Sequence, residues 1–386
     1  MKSKFSNIET QLITAGEPEP RVMGAVAMPV FQSSTYVYSG EKSYSEIRYI
    51  RLNNTPNHIA LNKKIAAIEN GESAMVAASG MAAISTALLT VLSEGDHLLT
   101  QSILYGGTFD FITKDFHNYG LEFDFIDGDK LDEWKSKLRP NTKAIYCESI
   151  TNPLMQVCDL KAVVSFAKEN NLVSLIDNTF TSPVNFRPLE IGFDLSLHSC
   201  TKYMNGHNDI VAGAIIGKTE LIEKFTHKLN HLGGTLDPHT CFLLHRGLKT
   251  LALRVRFQNQ SALKIAKFFE SHPKVERVNY PGLESSKYYS RAKELFEGCG
   301  GMISFELKRG LKAAEKLISN LEIPVYAPSL GGVETLIILP TKTSHAGLTI
   351  EERKSAGISD GLVRLSVGIE NTDDLVEDFT RALSVL

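Results

Sequence analysis

Residues 194–213, Asp-Leu-Ser-Leu-His-Ser-Cys-Thr-Lys-Tyr-Met-Asn-Gly-His-Asn-Asp-Ile-Val-Ala-Gly, carry the residue types best suited to covalent chemistry. Leu195 and Leu197 alternate with polar residues, which predicts a strand over 194–198, and a second strand is expected over 211–216. Lys202 stands in the hydroxyl-rich loop between them. A lysine at an apolar strand end can lose its hydration, which lowers its pKa and frees its amine for Schiff-base chemistry. Ser199 and Thr201 beside it can hold a phosphate. An aldehyde that needs an amine and a phosphate that needs donors together suggest pyridoxal 5'-phosphate (PLP). Taken alone, Lys202 reads as an ordinary solvated lysine.

The other needs of PLP chemistry decide between those readings. A carboxylate must keep the pyridine nitrogen protonated, a donor-rich cradle must hold the phosphate, and a cation must hold the amino-acid carboxylate. Asp177 ends a predicted strand over 172–177 and can meet the first need. Ser79-Gly80-Met81 opens an apolar helix over 82–92. Together with Ser199 and Thr201 it can meet the second, because free N–H groups at a helix start attract anions and glycine allows close approach. Arg364, in Leu-Val-Arg-Leu-Ser-Val-Gly, offers a planar fork matched to a carboxylate. Each residue alone has a plainer reading, as a turn aspartate or a surface arginine. The joint set in this order is much harder to obtain by chance.

The elements that must position these residues follow an alternating rhythm. Strands are expected over 97–100, 121–126, 143–148 and 172–177, and helices over 108–118, 131–138 and 159–168. A helix opens at Thr55-Pro56, with a capping hydroxyl and proline at its first position, and stops at Gly71. This implies an α/β fold with a mostly parallel sheet flanked by helices, whose ligands gather at the carboxyl ends of the strands. Asp177, the Lys202 loop and the 148–153 segment all lie at such ends. From about residue 221 long helices dominate, over 221–231 and 240–271, before a mixed α+β region. Residues 1–55, rich in proline and glycine, read as an extended arm, 56–245 as the large cofactor domain and 246–386 as a small domain.

With 386 residues, 43% apolar and 22% charged, and a formal net charge of -3, the composition is that of an ordinary globular protein. There is no basic stripe for nucleic acid, no apolar run long enough for a membrane, no signal-peptide core and no GxGxxG after a first strand. Five scattered cysteines without CxxC spacing read as reduced thiols of a cytoplasmic enzyme, with neither a disulfide frame nor a metal site.

The motifs resemble the trans-sulfuration (Cys/Met-metabolism) family of PLP enzymes over nearly the whole chain. They are Ser79-Gly80-Met81-Ala82, Tyr105-Gly106-Gly107-Thr108, Asp177-Asn178-Thr179-Phe180, His198 to Tyr203, Ser329 to Leu336, and Arg364 to Glu370. The resemblance implies the aspartate-aminotransferase type of fold (fold type I). It implies Lys202 as the Schiff-base lysine and Asp177, with Thr179, at the pyridine nitrogen. Tyr105 would stack on the ring and act with Lys202 in catalysis. Ser79, Gly80, Met81, Ser199 and Thr201 would hold the phosphate, and Asn152 would lie near the ring hydroxyl. Asn152, Ser329 and Arg364 would bind the substrate carboxylate. Tyr49 and Arg51 match residues that reach the phosphate of a neighbouring subunit, which implies shared sites and a homotetramer built as a dimer of dimers.

The resemblance also implies cleavage of a carbon–sulfur bond in an amino-acid thioether. β-Cleavage of cystathionine to homocysteine, pyruvate and ammonia leads, with γ-cleavage or γ-synthesis as alternatives. The pocket residues guide that order. Gly107 replaces the cysteine of methionine-degrading relatives, and Pro328 replaces a glutamate common in γ-enzymes. Asp110 stands where some β-lyases have aspartate. It could hold the distal ammonium of cystathionine, or simply complement a helix dipole. The arm departs from the family's Asn-Pro-Thr, reading Asn54-Thr55-Pro56.

Overall fold

Apolar strands buried on both faces need helices above and below, and the chain supplies them alternately. The computed structural model describes residues 5–343, 349, 351, 353 and 357–386. Its larger sheet contains β1 (Ser73–Ala77), β2 (His97–Gln101), β3 (Glu122–Ile126), β4 (Thr142–Glu148), β5 (Val173–Asp177), β6 (Leu195–Ser199) and β7 (Gly213–Gly217). The strand order is β1-β7-β6-β5-β4-β2-β3. β3, β2, β4, β5 and β6 pair in parallel, whereas β7 runs antiparallel to both β6 and β1. The smaller sheet, ordered β10-β11-β12-β9-β8, is built from β8 (Val275–Asn279), β9 (Met302–Leu307), β10 (Val325–Tyr326), β11 (Leu336–Ile338) and β12 (Leu362–Ser366). The α/β class with a mostly parallel sheet and a smaller C-terminal sheet region is as expected.

Helix boundaries show where local signals were misleading. The helix Pro56–Ile68 starts at Thr55, yet the Thr55 hydroxyl does not cap it and meets His58 Nδ1 at 2.8 Å. Its stop is Asn70, at φ +53°, while the Gly71 N–H donates to the Ala66 carbonyl at 2.9 Å. The expected helix 108–118 is a short helix, Gly106–Asp110, followed by a π-helical turn, Phe111–Asp115, and a tight turn ending at Gly120. The single helix expected over 240–271 is two, Pro238–Leu248 and Leu251–Ser271. The arm is not wholly extended. Ile8–Thr14 forms a helix whose Ile8 and Leu12 are buried, while the arm's first four residues lie outside the described set. Strand β1 escaped the sequence reading because Ala-Met-Val-Ala is apolar throughout and shows no alternation.

Candidate active site

Parallel strands end at one edge of the sheet, and there β4, β5 and β6 deliver Glu148, Asp177 and Ser199. A cavity of about 1750 Å³ opens over that edge. It is lined by Ser79, Gly80, Met81, Tyr105, Asp110, Asn152, Asp177, Thr179, Ser199, Thr201, Lys202, Ser329 and Arg364. The fold thus brings together all the expected site residues except Tyr49 and Arg51.

Lys202 sits in the tight turn after β6, and its Nζ donates to Ser329 Oγ at 2.9 Å. Burial, and then the Arg364 charge, lower its pKa to about 8. Arg364 comes from the middle of β12. Its Nη1 donates to Asn152 Oδ1 at 3.1 Å and its Nη2 to the Ser329 carbonyl at 2.9 Å. Burial alone lowers the guanidinium to about 10. Ser329 is held at φ +131°, a conformation that favours glycine, and both its hydroxyl and its carbonyl are bound by these cations. Behind Lys202, the buried Arg254 donates to the carbonyls of Tyr203 (2.8 Å), Asn205 (3.3 Å) and Gly247 (2.9 Å). That guanidinium clamps the turn carrying the lysine, a role with no local mark in the sequence.

Asp177 is buried at the end of β5. Its Oδ1 accepts from both the backbone N–H (2.9 Å) and the hydroxyl of Thr179, and Thr179 Oγ1 in turn accepts the Ser199 N–H at 2.8 Å. Among the described residues, Oδ2 receives no hydrogen bond. Burial raises the Asp177 pKa, while the Thr179 donors and the His198 charge oppose that rise. His198 is itself held by the fully buried Glu69, Nε2 to Oε1 at 2.5 Å.

Gly80 opens a helix of twelve residues, Gly80–Val91, with Ser79 Oγ capping the Ala82 N–H at 2.9 Å. A Cβ on Gly80 would fall 2.7 Å from Ser199 Cβ, so only glycine lets the helix start and the strand end converge. The Thr201 hydroxyl is already committed. It donates to the Ala212 carbonyl at 3.2 Å and accepts that residue's N–H at 3.0 Å. Tyr105 is 45% exposed at the cavity mouth, over Gly107, where a Cβ would meet Tyr105 Cε1 at 2.7 Å and Met81 Sδ at 3.1 Å. Asp110 lies at the rim and pairs with Lys114 at 2.9 Å. Tyr49 and Arg51 lie apart from this cavity. Arg51 donates to the Asn230 carbonyl (3.1 Å) and the Tyr44 hydroxyl (2.6 Å), with the Tyr49 ring 5.9 Å away.

Glu148 is a functional candidate that the sequence reading left without a role. It closes β4 at the cavity and accepts the Tyr105 N–H at 2.5 Å. Its position at a strand end was the available signal.

The donor set fits PLP. A buried amine of lowered pKa, a carboxylate with one oxygen free for a ring nitrogen, and a glycine-opened helix start beside a serine are what its aldehyde, ring and phosphate require. Comparison with known proteins agrees. The chain is 43% identical over 377 residues to cystathionine beta-lyase MetC of Bacillus subtilis, covering 97% of this chain and 96% of the relative. It is 40% identical to cystathionine gamma-lyase of the same organism, covering 97% and 98%. A crystal structure of cystathionine gamma-lyase from Lactobacillus plantarum complexed with L-serine superposes with a TM-score of 0.93 at 37% identity, covering 98% of this chain and 99% of that one. The family model described as Cys/Met metabolism PLP-dependent enzyme matches residues 9–384, and the chain belongs to that family.

Proposed function

We propose that the protein is a PLP-dependent carbon–sulfur lyase that cleaves cystathionine at its β-carbon, releasing homocysteine, pyruvate and ammonia. One arrangement carries the reading. The Lys202 amine, the Ser329 hydroxyl and carbonyl, and the Arg364 fork converge at hydrogen-bond distance, in the cavity that Asp177 also lines. PLP, when bound, supplies an electron sink for the substrate's α-carbon. The chain's own residues do the rest. Arg364 and Asn152 orient the α-carboxylate, and Asp177 holds a proton at the ring nitrogen. Lys202, with its pKa lowered to about 8, takes the α-proton at Nζ. The Ser199–Gly80 approach anchors the phosphate, and Tyr105 covers the ring.

The choice of bond rests on the pocket. Pro328 lines it where a glutamate would favour a γ-substrate, and Gly107 leaves no room for a side chain beneath Tyr105. Incubation with cystathionine alone should release pyruvate, measured by coupled reduction. 2-Oxobutyrate would indicate γ-cleavage, and neither keto acid would favour a synthase.

Tyr49 and Arg51 we assign to the phosphate of a neighbouring subunit within a homotetramer. Support comes from their absence from their own chain's cavity and from exposed apolar residues along the arm, Val26, Val37 and Tyr38. Arg51→Ala and Lys202→Ala should each be inactive alone, and a refolded mixture should regain activity at mixed sites. A mixture as inactive as its parents would remove the shared-site reading. The division into arm 1–55, large domain 56–245 and small domain 246–386 belongs to the same proposal, as does a cytoplasmic location, which five free cysteines fit. No described helix is long and apolar enough to cross a membrane.

A further inference from the structure

Glu148 takes no part in the mechanism above, yet it is 4% exposed and lines the same cavity. It stands in register with Asp177, so two carboxyl groups leave neighbouring parallel strands side by side. Two buried carboxylates so close cannot both ionise cheaply. Their surroundings differ. Asp177 receives two donors from Thr179 and the field of His198. Among the described residues, Glu148 receives one donor, the Tyr105 N–H, and its own N–H is taken by Gln101 Oε1 at 3.1 Å. Burial, and then the charge of Asp177, push Glu148 well above the ordinary carboxylate range. The other ionisable groups beside it, Tyr146 and Cys147 on its own strand, are pushed up by burial and stay uncharged. Lys202 and Arg364 line the cavity but bond elsewhere.

We propose that Glu148 is a neutral carboxylic acid that fixes the backbone under Tyr105 and leaves Asp177 as the single negative charge at the ring-nitrogen end of the site. It is a positioning residue, and the inference rests on reading Asp177 as the partner of the ring nitrogen. Infrared spectra of the holoprotein at mildly alkaline pH test it directly. The carbonyl stretch of a protonated carboxylic acid should be present in the wild type, absent from Glu148→Gln and retained in Asp177→Asn, since burial is the larger force on Glu148. A band missing from the wild type, or one that survives in Glu148→Gln, overturns the proposal.

Thermal unfolding gives a second readout. The folded chain keeps a proton that the unfolded chain releases above the ordinary value of 4.5, so wild-type stability falls as pH rises from there towards the folded pKa. Glu148→Gln lacks that loss. Its Tm relative to wild type should therefore climb steadily with pH, and a difference that is flat or falling, or a variant that does not fold, contradicts a neutral acid. Glu148→Ala, which frees the Tyr105 N–H, should lose about tenfold more kcat/KM than Glu148→Gln, and equal losses would remove the positioning role. A wild type that binds no PLP would instead defeat the reading of the whole site, while the Tm comparison would still report on Glu148.

Discussion

Lys202→Ala should lose the visible absorbance of the bound cofactor and at least about 10²–10⁴-fold in kcat, the usual worth of a positioned proton-transfer group. The loss follows from what surrounds the amine. Its pKa, lowered to about 8, leaves a substantial neutral fraction near neutrality, whereas a solvated lysine would be almost wholly protonated. No other described lysine lines the cavity except Lys287, which is exposed and pairs with Asp129 at 3.6 Å. Lys202→Arg should fail equally, because a guanidinium keeps the charge and cannot give up its proton at working pH. The check is stopped-flow absorbance together with steady-state keto-acid release. Turnover within tenfold of wild type would remove Lys202 from its assigned role.

Arg364→Ala should raise KM strongly, with a loss in kcat/KM of about 2–5 kcal/mol, the cost of truncating a buried charge-assisted contact. That corresponds to a factor of roughly 30 to several thousand. Two effects coincide. The substrate carboxylate loses its fork, and the Ser329 carbonyl and Asn152 Oδ1 lose the donor that now fixes them. Arg364→Lys should recover only part of the loss, since an ammonium supplies the charge without the planar pair of donors. There is a remote signature as well. The Arg364 charge is one of two forces lowering the Lys202 pKa, so the amine in Arg364→Ala apoprotein should titrate higher than about 8 and closer to 10.5. Rates of reductive methylation against pH would read this. An unchanged titration would mean that burial alone sets the amine.

The candidate cofactor residues, which share one cavity, could be picked out in the sequence because their signals are local. A hydroxyl beside a lysine, an aspartate at a strand end and a glycine at a helix start each leave a mark in a few consecutive residues. What stayed hidden depended on distant parts of the chain. Arg254 binds the carbonyls of 203 and 205, about fifty residues upstream, and nothing in its own neighbourhood of the sequence marks that target. Glu148 had the right place but no visible partner, since its bond to Tyr105 spans 43 positions. Thr55 shows the opposite error. A good capping residue was drawn off by His58, whose other ring nitrogen meets the Leu236 carbonyl at 2.7 Å. The competing bond is itself local, three residues on, but the ring that makes it is also held from 178 positions away, which spacing does not show.

The reversed direction of β7 has a mechanical consequence. Because β6 and β7 are adjacent and antiparallel, the segment bearing Lys202 is a hairpin stapled to the sheet at both ends, at Ser199 opposite Gly213. In a purely parallel arrangement that segment would lead off into a crossover helix and inherit its rocking. Here the backbone beneath Lys202 is anchored like a bridge between two piers, with Arg254 as the keystone. Travel of the amine between substrate and resting positions is therefore left to the four-carbon side chain, and the frame around it can stay still through each turnover.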